Sequence, residues 1–131
     1  MAFELSKDDA TRPPVAIGHV SIAVSDIAAA GAFFGKLGMR PIAEGEEVAV
    51  LELRGGTHLV AHPAKAPIKA GTPAPFDLMV DDIDAAHAYV SGLATGTSSI
   101  EESRFHRYFR VDGPDGYRIT ITSSHAGDRA V

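Results

Sequence analysis

Gly18-His19-Val20-Ser21-Ile22-Ala23-Val24-Ser25-Asp26-Ile27 is the stretch that decides the fold. Val20, Ile22 and Val24 alternate with His19, Ser21 and Ala23, the period-2 signature of a strand with one buried face. Asp26 stands where a helix N-cap belongs, its carboxylate able to accept from the first free N–H groups. Helical spacing then takes over: Ile27, Ala30, Phe34 and Leu37 share one face, and Gly38 is placed to stop the helix. The same order returns at Phe76-Asp77-Leu78-Met79-Val80-Asp81-Asp82-Ile83. From Asp26 to Asp82 the offset is 56 (82 − 26). That shift also carries Ile22 to Leu78, Val24 to Val80, Ile27 to Ile83, Ala30 to Ala86, Phe34 to Val90 and Leu37 to Leu93. Unrelated amphipathic helices do not share cap, preceding strand and register together, so the chain contains an internal repeat.

Between the two openings, Arg40 to Ala43 predicts a short strand. Glu47 to Arg54 alternates, with Ala49, Leu51 and Leu53 opposite Val48, Val50, Glu52 and Arg54. Gly55-Gly56 marks a tight hairpin, and Thr57 to His62 returns with His58, Val60 and His62 on one face. The following segment is rich in Pro, Ala and Gly without a period, which reads as a linker. The second half repeats the order, with a weak strand at Gly96 to Ser103 and a clearer one at Phe105 to Val111. Asp112-Gly113-Pro114-Asp115-Gly116 forms a turn, and Tyr117 to Thr122 closes the half. The expected organisation is a flexible leader at 1–14 and a single domain at 15–124. Within it lie module one (15–62), a linker (63–73) and module two (74–122), with a loose tail at 125–131. The fold class is α+β: two βαβββ modules in tandem, curled into an open barrel-like cup.

At 131 residues with 45% apolar and 22% charged residues, the chain is long enough for one packed core. It has no cysteine, which excludes disulfides, thiolate catalysis and cysteine metal ligands. No apolar run reaches membrane-spanning length. No basic segment followed by an apolar run opens the chain, so no secretory signal is expected. A formal charge of −5 argues against a nucleic-acid partner. These features set the expectation of a cytoplasmic protein with no membrane partner.

In each half the apolar strand face should lie under the helix, leaving the opposite face open. That face carries His19, Ser21, Glu52, Arg54, His58, His62, Asp77, Met79, His106, Tyr108, Arg110, Arg118, Thr120 and Thr122. So many hydrogen-bonding groups on one concave face predict a ligand cup. A carboxylate buried at Asp77 would need a partner, with His19, Arg110 and Arg118 as candidates. An Asp77–His19 couple is the candidate general base. Arg54, Arg110 and Arg118 are placed to grip an anionic group. His87, on the outer side of the second helix, and His125, in the tail, carry no expected role.

The chain resembles the vicinal oxygen chelate superfamily, which includes glyoxalase I, extradiol dioxygenases and bleomycin resistance proteins. The resemblance spans Val15 to Thr122. It is carried by the motifs at 18–26 (GHVSIAVSD), 34–39 (FGKLGM), 76–84 (FDLMVDDID) and 113–120 (GPDGYRIT). It implies the paired-module fold, a homodimer and a small-molecule ligand. In the family's metal enzymes the ligand positions correspond to His19, Val60, Pro75 and Thr120 here. Only His19 is a capable ligand, so the resemblance implies a pocket protein without the usual metal or other cofactor. Its hydrophobic or aromatic ligand would be bound by His19, Ser21, Glu52, His58, Val60, His62, Asp77, Met79, Tyr108, Arg110 and Thr120. The alternative is a metal-dependent lyase, isomerase or dioxygenase, with a divalent ion held off-register by His19, His58 or His62, and Asp77.

Overall fold

The computed structural model describes residues 11–93, 96–124, 126–127 and 129–131. The leader at 1–10 and His125 lie outside the described residues. The elements run β1 (His19–Val24), α1 (Ile27–Lys36), β2 (Arg40–Glu44), β3 (Ala49–Glu52), β4 (His58–Pro63), β5 (Leu78–Val80), α2 (Ile83–Leu93), β6 (Glu101–Glu102), β7 (Arg107–Asp112) and β8 (Arg118–Ser123). The first sheet has the order β1-β4-β3-β2 and the second β5-β8-β7-β6, so the two modules share one topology. In each, the first strand pairs parallel to the last, and the hairpins between are antiparallel. No described helix is long and apolar enough to cross a membrane.

Both helices start as their sequences dictate. The Asp26 carboxylate accepts from Ala29 N–H at 3.0 Å, and Asp82 accepts from Ala85 N–H at 3.0 Å. Each cap satisfies one otherwise orphaned donor and contributes about 1 kcal/mol. Gly38 ends α1 with φ +116°, a conformation open to glycine. Ala30 and Phe34 of α1 are buried on β3, while Ile83 and Val90 anchor α2. The strands supply Ile22, Val24, Ala49, Leu51, Leu59 and Ala61 from the first sheet, and Phe109, Val111, Ile119 and Ile121 from the second. These residues form one continuous core.

That core crosses the module boundary. The Phe34 ring packs 6.2 Å from Phe76. Tyr117 is buried; its hydroxyl donates to the Ala23 carbonyl at 2.8 Å, and burial pushes the phenol above its ordinary pKa. Tyr89 Oη donates to the Lys36 carbonyl at 2.6 Å. Asp115 accepts from both the backbone N–H and the hydroxyl of Ser25. A bidentate Arg107–Asp84 pair, 2.9 Å on each arm, fastens the start of β7 to the first turn of α2.

Several elements depart from the sequence expectation. The weak strand at Gly96 to Ser103 contracts to Glu101–Glu102. Upstream of it Ser98 takes over the pairing: its N–H donates to the Arg110 carbonyl and its hydroxyl accepts from Arg110 N–H. Serine side chains compete with a strand ladder in this way. Phe105 lies outside β7 and is 68% exposed. β2 carries an irregularity between Pro41 and Ala43 that leaves Ile42 unpaired, as expected of an edge strand whose proline offers no N–H. Leu93, the repeat partner of Leu37, is exposed at the end of α2. His87 does not face outward. It is half-buried, packs edge-on against the buried Phe109 ring at 5.0 Å, and its Nε2 lies 2.7 Å from the Ser98 carbonyl. The 3.6-residue period places position 87 beside Ala86 and Val90, close enough to the apolar face for a long ring to reach the sheet. In the tail, Ala126 is buried rather than loose.

Candidate functional site

On the first sheet the open face is built row by row from the strand register. Arg40 pairs with Glu52, Glu52 with His58, and His58 with His19. Four strands therefore place Arg40, Glu52, His58 and His19 in one line across the sheet. The side chains follow the line. Arg40 forms an ion pair with Glu52. Glu52 lies 3.4 Å from His58 Nε2. The His58 and His19 rings meet edge to face at 6.1 Å. The next row on the same face is Ala43, Val50, Val60 and Ser21, which is mostly apolar. His62 lies farther along β4, opposite Ala23.

Arg40 was not marked by periodicity. Its role depends on which strand lies beside β3, and a single-strand pattern does not contain that information. The Arg40 guanidinium, then His58, hold the Glu52 carboxyl below its ordinary value of 4.5. A depressed folded-state pKa means the pair stabilises the fold above the unfolded value and stops doing so as pH falls through the lower folded value. In urea denaturation followed against pH, Glu52→Gln is expected to flatten the acid limb below pH 4.5. An unchanged acid limb would show that the row contributes nothing to stability.

The second sheet has its own open-face set. Tyr108 pairs with Thr122, Arg110 with Thr120, and Met79 with Thr122. The Arg110 guanidinium sits over the Tyr108 ring at 5.3 Å and donates to Glu101 at 3.2 Å. The His106 ring meets Tyr108 edge-on at 6.0 Å. Arg110 and Glu101 thus frame an aromatic surface. Thr122 does not line a cup. It is buried, its hydroxyl 3.4 Å from the Leu78 carbonyl.

A groove of 380 Å³ opens between the sheets, walled by Val20 and Leu53 on one side and Phe76, Leu78 and Met79 on the other. Its polar groups are Arg54, Thr57 and Asp77. A neighbouring recess of 610 Å³ shares Arg54, Thr57 and Met79. Of the residues expected on the open face, Arg54, Asp77 and Met79 line this groove. Asp77 is exposed rather than buried and has no ion-pair partner among the described residues, so the expected coupling to His19, Arg110 or Arg118 is absent. The reason is its position one residue before β5, at the open end of the groove. Arg54 is held by Asp81 at 2.9 and 3.0 Å and is not free to grip an anion.

The family's metal positions do not fit a divalent ion in this chain. Val60 and Pro75 carry no side-chain donor atom, and Thr120 offers only a hydroxyl. The off-register set does not converge either. Among the described residues no three His, Asp or Glu side chains group as metal ligands. His19 pairs with His58 on adjacent strands, their rings 6.1 Å apart, whereas Asp77 belongs to the other module.

Among curated proteins none matches this sequence. The fold is similar to that of a lactoylglutathione lyase from Agrobacterium tumefaciens (16% identity, 87% of this chain and 97% of that chain, TM-score 0.69). It is similar to TnmS3, an antibiotic-binding protein from Streptomyces sp. CB03234 (20% identity, 86% and 98%, TM-score 0.66). It is also similar to the bleomycin-binding protein of Streptomyces verticillus, crystallised with copper(II)-bleomycin (17% identity, 86% and 99%, TM-score 0.66). At these identities the likeness concerns the fold alone. Residues 16–121 match the Glyoxalase/Bleomycin resistance protein/Dioxygenase superfamily, and with the repeated βαβββ topology above, the chain belongs to that superfamily.

Proposed function

We propose that this protein binds a small hydrophobic or aromatic ligand on the open faces of its sheets, without the superfamily's divalent ion. One observation carries the reading. The first sheet sets a braced polar row, Arg40–Glu52–His58–His19, directly beside the apolar Val50 and Val60, while the position that would complete a metal site is itself Val60. A few placed polar groups on an apolar wall suit orientation of a small molecule. The second sheet adds Tyr108, Met79 and Thr120, with Arg110 held beside Tyr108 by Glu101. The antibiotic-binding and bleomycin-binding relatives support the same use of the fold. Fold alone does not assign a reaction. The working form is proposed to be a cytoplasmic homodimer with no nucleic-acid or membrane partner.

The test combines metal content with thermal stability. Protein purified after divalent-metal supplementation is expected to carry no stoichiometric metal, with His19→Ala as the control. Stoichiometric metal that disappears in His19→Ala would overturn the metal-free reading. A bound aromatic ligand at a hundred times its Kd is expected to stabilise the native state by about 2.7 kcal/mol. That corresponds to a thermal midpoint raised by on the order of 10 °C.

A further inference from the structure

We infer that Glu52 fixes His58 in the tautomer whose Nδ1 is an open hydrogen-bond acceptor, so that the preferred ligand is an aromatic compound bearing a neutral hydroxyl, a phenol rather than a phenyl ether. The inference rests on the proposed ligand-binding reading and names the chemistry of that ligand.

The argument begins with donor and acceptor roles. An ionised carboxylate only accepts, so the His58 nitrogen facing Glu52 must donate. That nitrogen is Nε2, at 3.4 Å. In the neutral imidazole the other nitrogen then carries a lone pair and no proton. Arg40 holds Glu52 from its far side, which keeps the carboxylate ionised and turned along the row. Among the described residues His58 Nδ1 has no hydrogen-bond partner, and the neighbouring His19 meets His58 only through its ring. The His58 side chain is 31% exposed, so a ligand reaches it.

The surroundings select the rest of the molecule. Val60 follows His58 by two residues on the same face, and Val50 lies opposite Val60. The spacing along the strand is roughly 7 Å. A flat ring resting on Val50 and Val60 therefore brings an edge hydroxyl to His58. A carboxylate in that place would face the lone pair of Nδ1 and the nearby Glu52 charge, and Arg40 is already engaged. A methyl ether offers no donor and leaves Nδ1 desolvated without a partner, which is the costly outcome for a polar atom.

The experiment uses the full chain, naphthol and its methyl ether as probes. Wild-type protein is expected to bind naphthol about tenfold more tightly than the ether by calorimetric titration, the size of one hydrogen bond to a partly buried acceptor. In Glu52→Gln the amide presents either a donor or an acceptor to Nε2, so the tautomer is no longer fixed and the preference should fall to about threefold or less. Imidazole nitrogen NMR of the free wild-type protein reads the tautomer directly and does not depend on the variant folding. In the neutral His58 ring, read at a pH where the imidazolium is absent, the proton is expected on Nε2 with Nδ1 bare. Equal affinity for the two probes, or a protonated Nδ1, would overturn the inference while leaving the binding reading intact. Failure of both probes to bind would overturn both.

Discussion

Phe34→Ala is expected to lower the unfolding free energy by about 3–5 kcal/mol, the usual loss for a fully buried aromatic ring in a core. Phe34 has no exposed surface. Its ring contacts Phe33 at 5.4 Å within α1 and Phe76 at 6.2 Å in the second module. Removing it opens a cavity at the point where the modules share their core, and close-packed surroundings fill such a space only in part. Against a total stability of roughly 5–15 kcal/mol for a single domain, the loss is a large share. Urea denaturation should show the midpoint falling while unfolding remains one transition, because the core is continuous. Leu93→Ala, at an exposed position of the same repeat face, should change stability by less than about 0.5 kcal/mol. A Phe34→Ala midpoint equal to that of Leu93→Ala would show that the modules are not held together by this core.

Asp115→Ala is expected to cost about 2 kcal/mol, and Asp115→Gly about half as much. Asp115 lies in the turn between β7 and β8 with φ +57°, the one non-glycine residue with positive φ among the described residues. The repeat gives the reason to look there. At an offset of 60 (115 − 55), the turn between β3 and β4 has Gly55 with φ +83°. Left-handed backbone costs an L-residue roughly 1 kcal/mol, with aspartate among the more tolerant types. What the carboxylate gains is an inter-module clamp: it accepts from Ser25 N–H at 2.9 Å and from the Ser25 hydroxyl at 2.5 Å. Hydrogen bonds to a charged group contribute about 1.5–3 kcal/mol each where shielded, and less at an exposed site such as this. Alanine loses the clamp and keeps the strained backbone, whereas glycine loses the clamp and relaxes the backbone. A double-mutant cycle with Ser25→Ala should return a coupling of about 1 kcal/mol. If alanine and glycine at 115 behave alike, the backbone strain carries no cost, and if both match wild type, the clamp carries no stability.

Much of the architecture was legible because it depends on local rules. Asp26 and Asp82 cap their helices since a short carboxylate before an apolar period has few other uses. The alternation of His58, Val60 and His62 against Leu59 and Ala61 survives in the structure, with Leu59 and Ala61 fully buried. The aligned row of the candidate site was legible in part. His19, Glu52 and His58 were each marked as open-face residues, yet nothing in their spacing said that three different strands align them, or that Arg40 completes the line. Asp77 was misjudged for the converse reason: alternation gives the face of a residue, not its depth, and a position just outside a strand sits at the rim. Likewise His87 turned inward because Phe109, 22 residues further along the chain (109 − 87), supplies a ring to pack against.

The sequence by itself determined the doubled strand-helix grammar and the faces of the strands, because each follows from residue type and period. Only the tertiary structure decided which charges meet. Arg54 went to Asp81, Arg107 to Asp84, Arg110 to Glu101 and Arg40 to Glu52. Those choices come from strand neighbours and inter-module contacts distant in sequence, and Coulomb attraction between side chains acts on distance in space rather than along the chain.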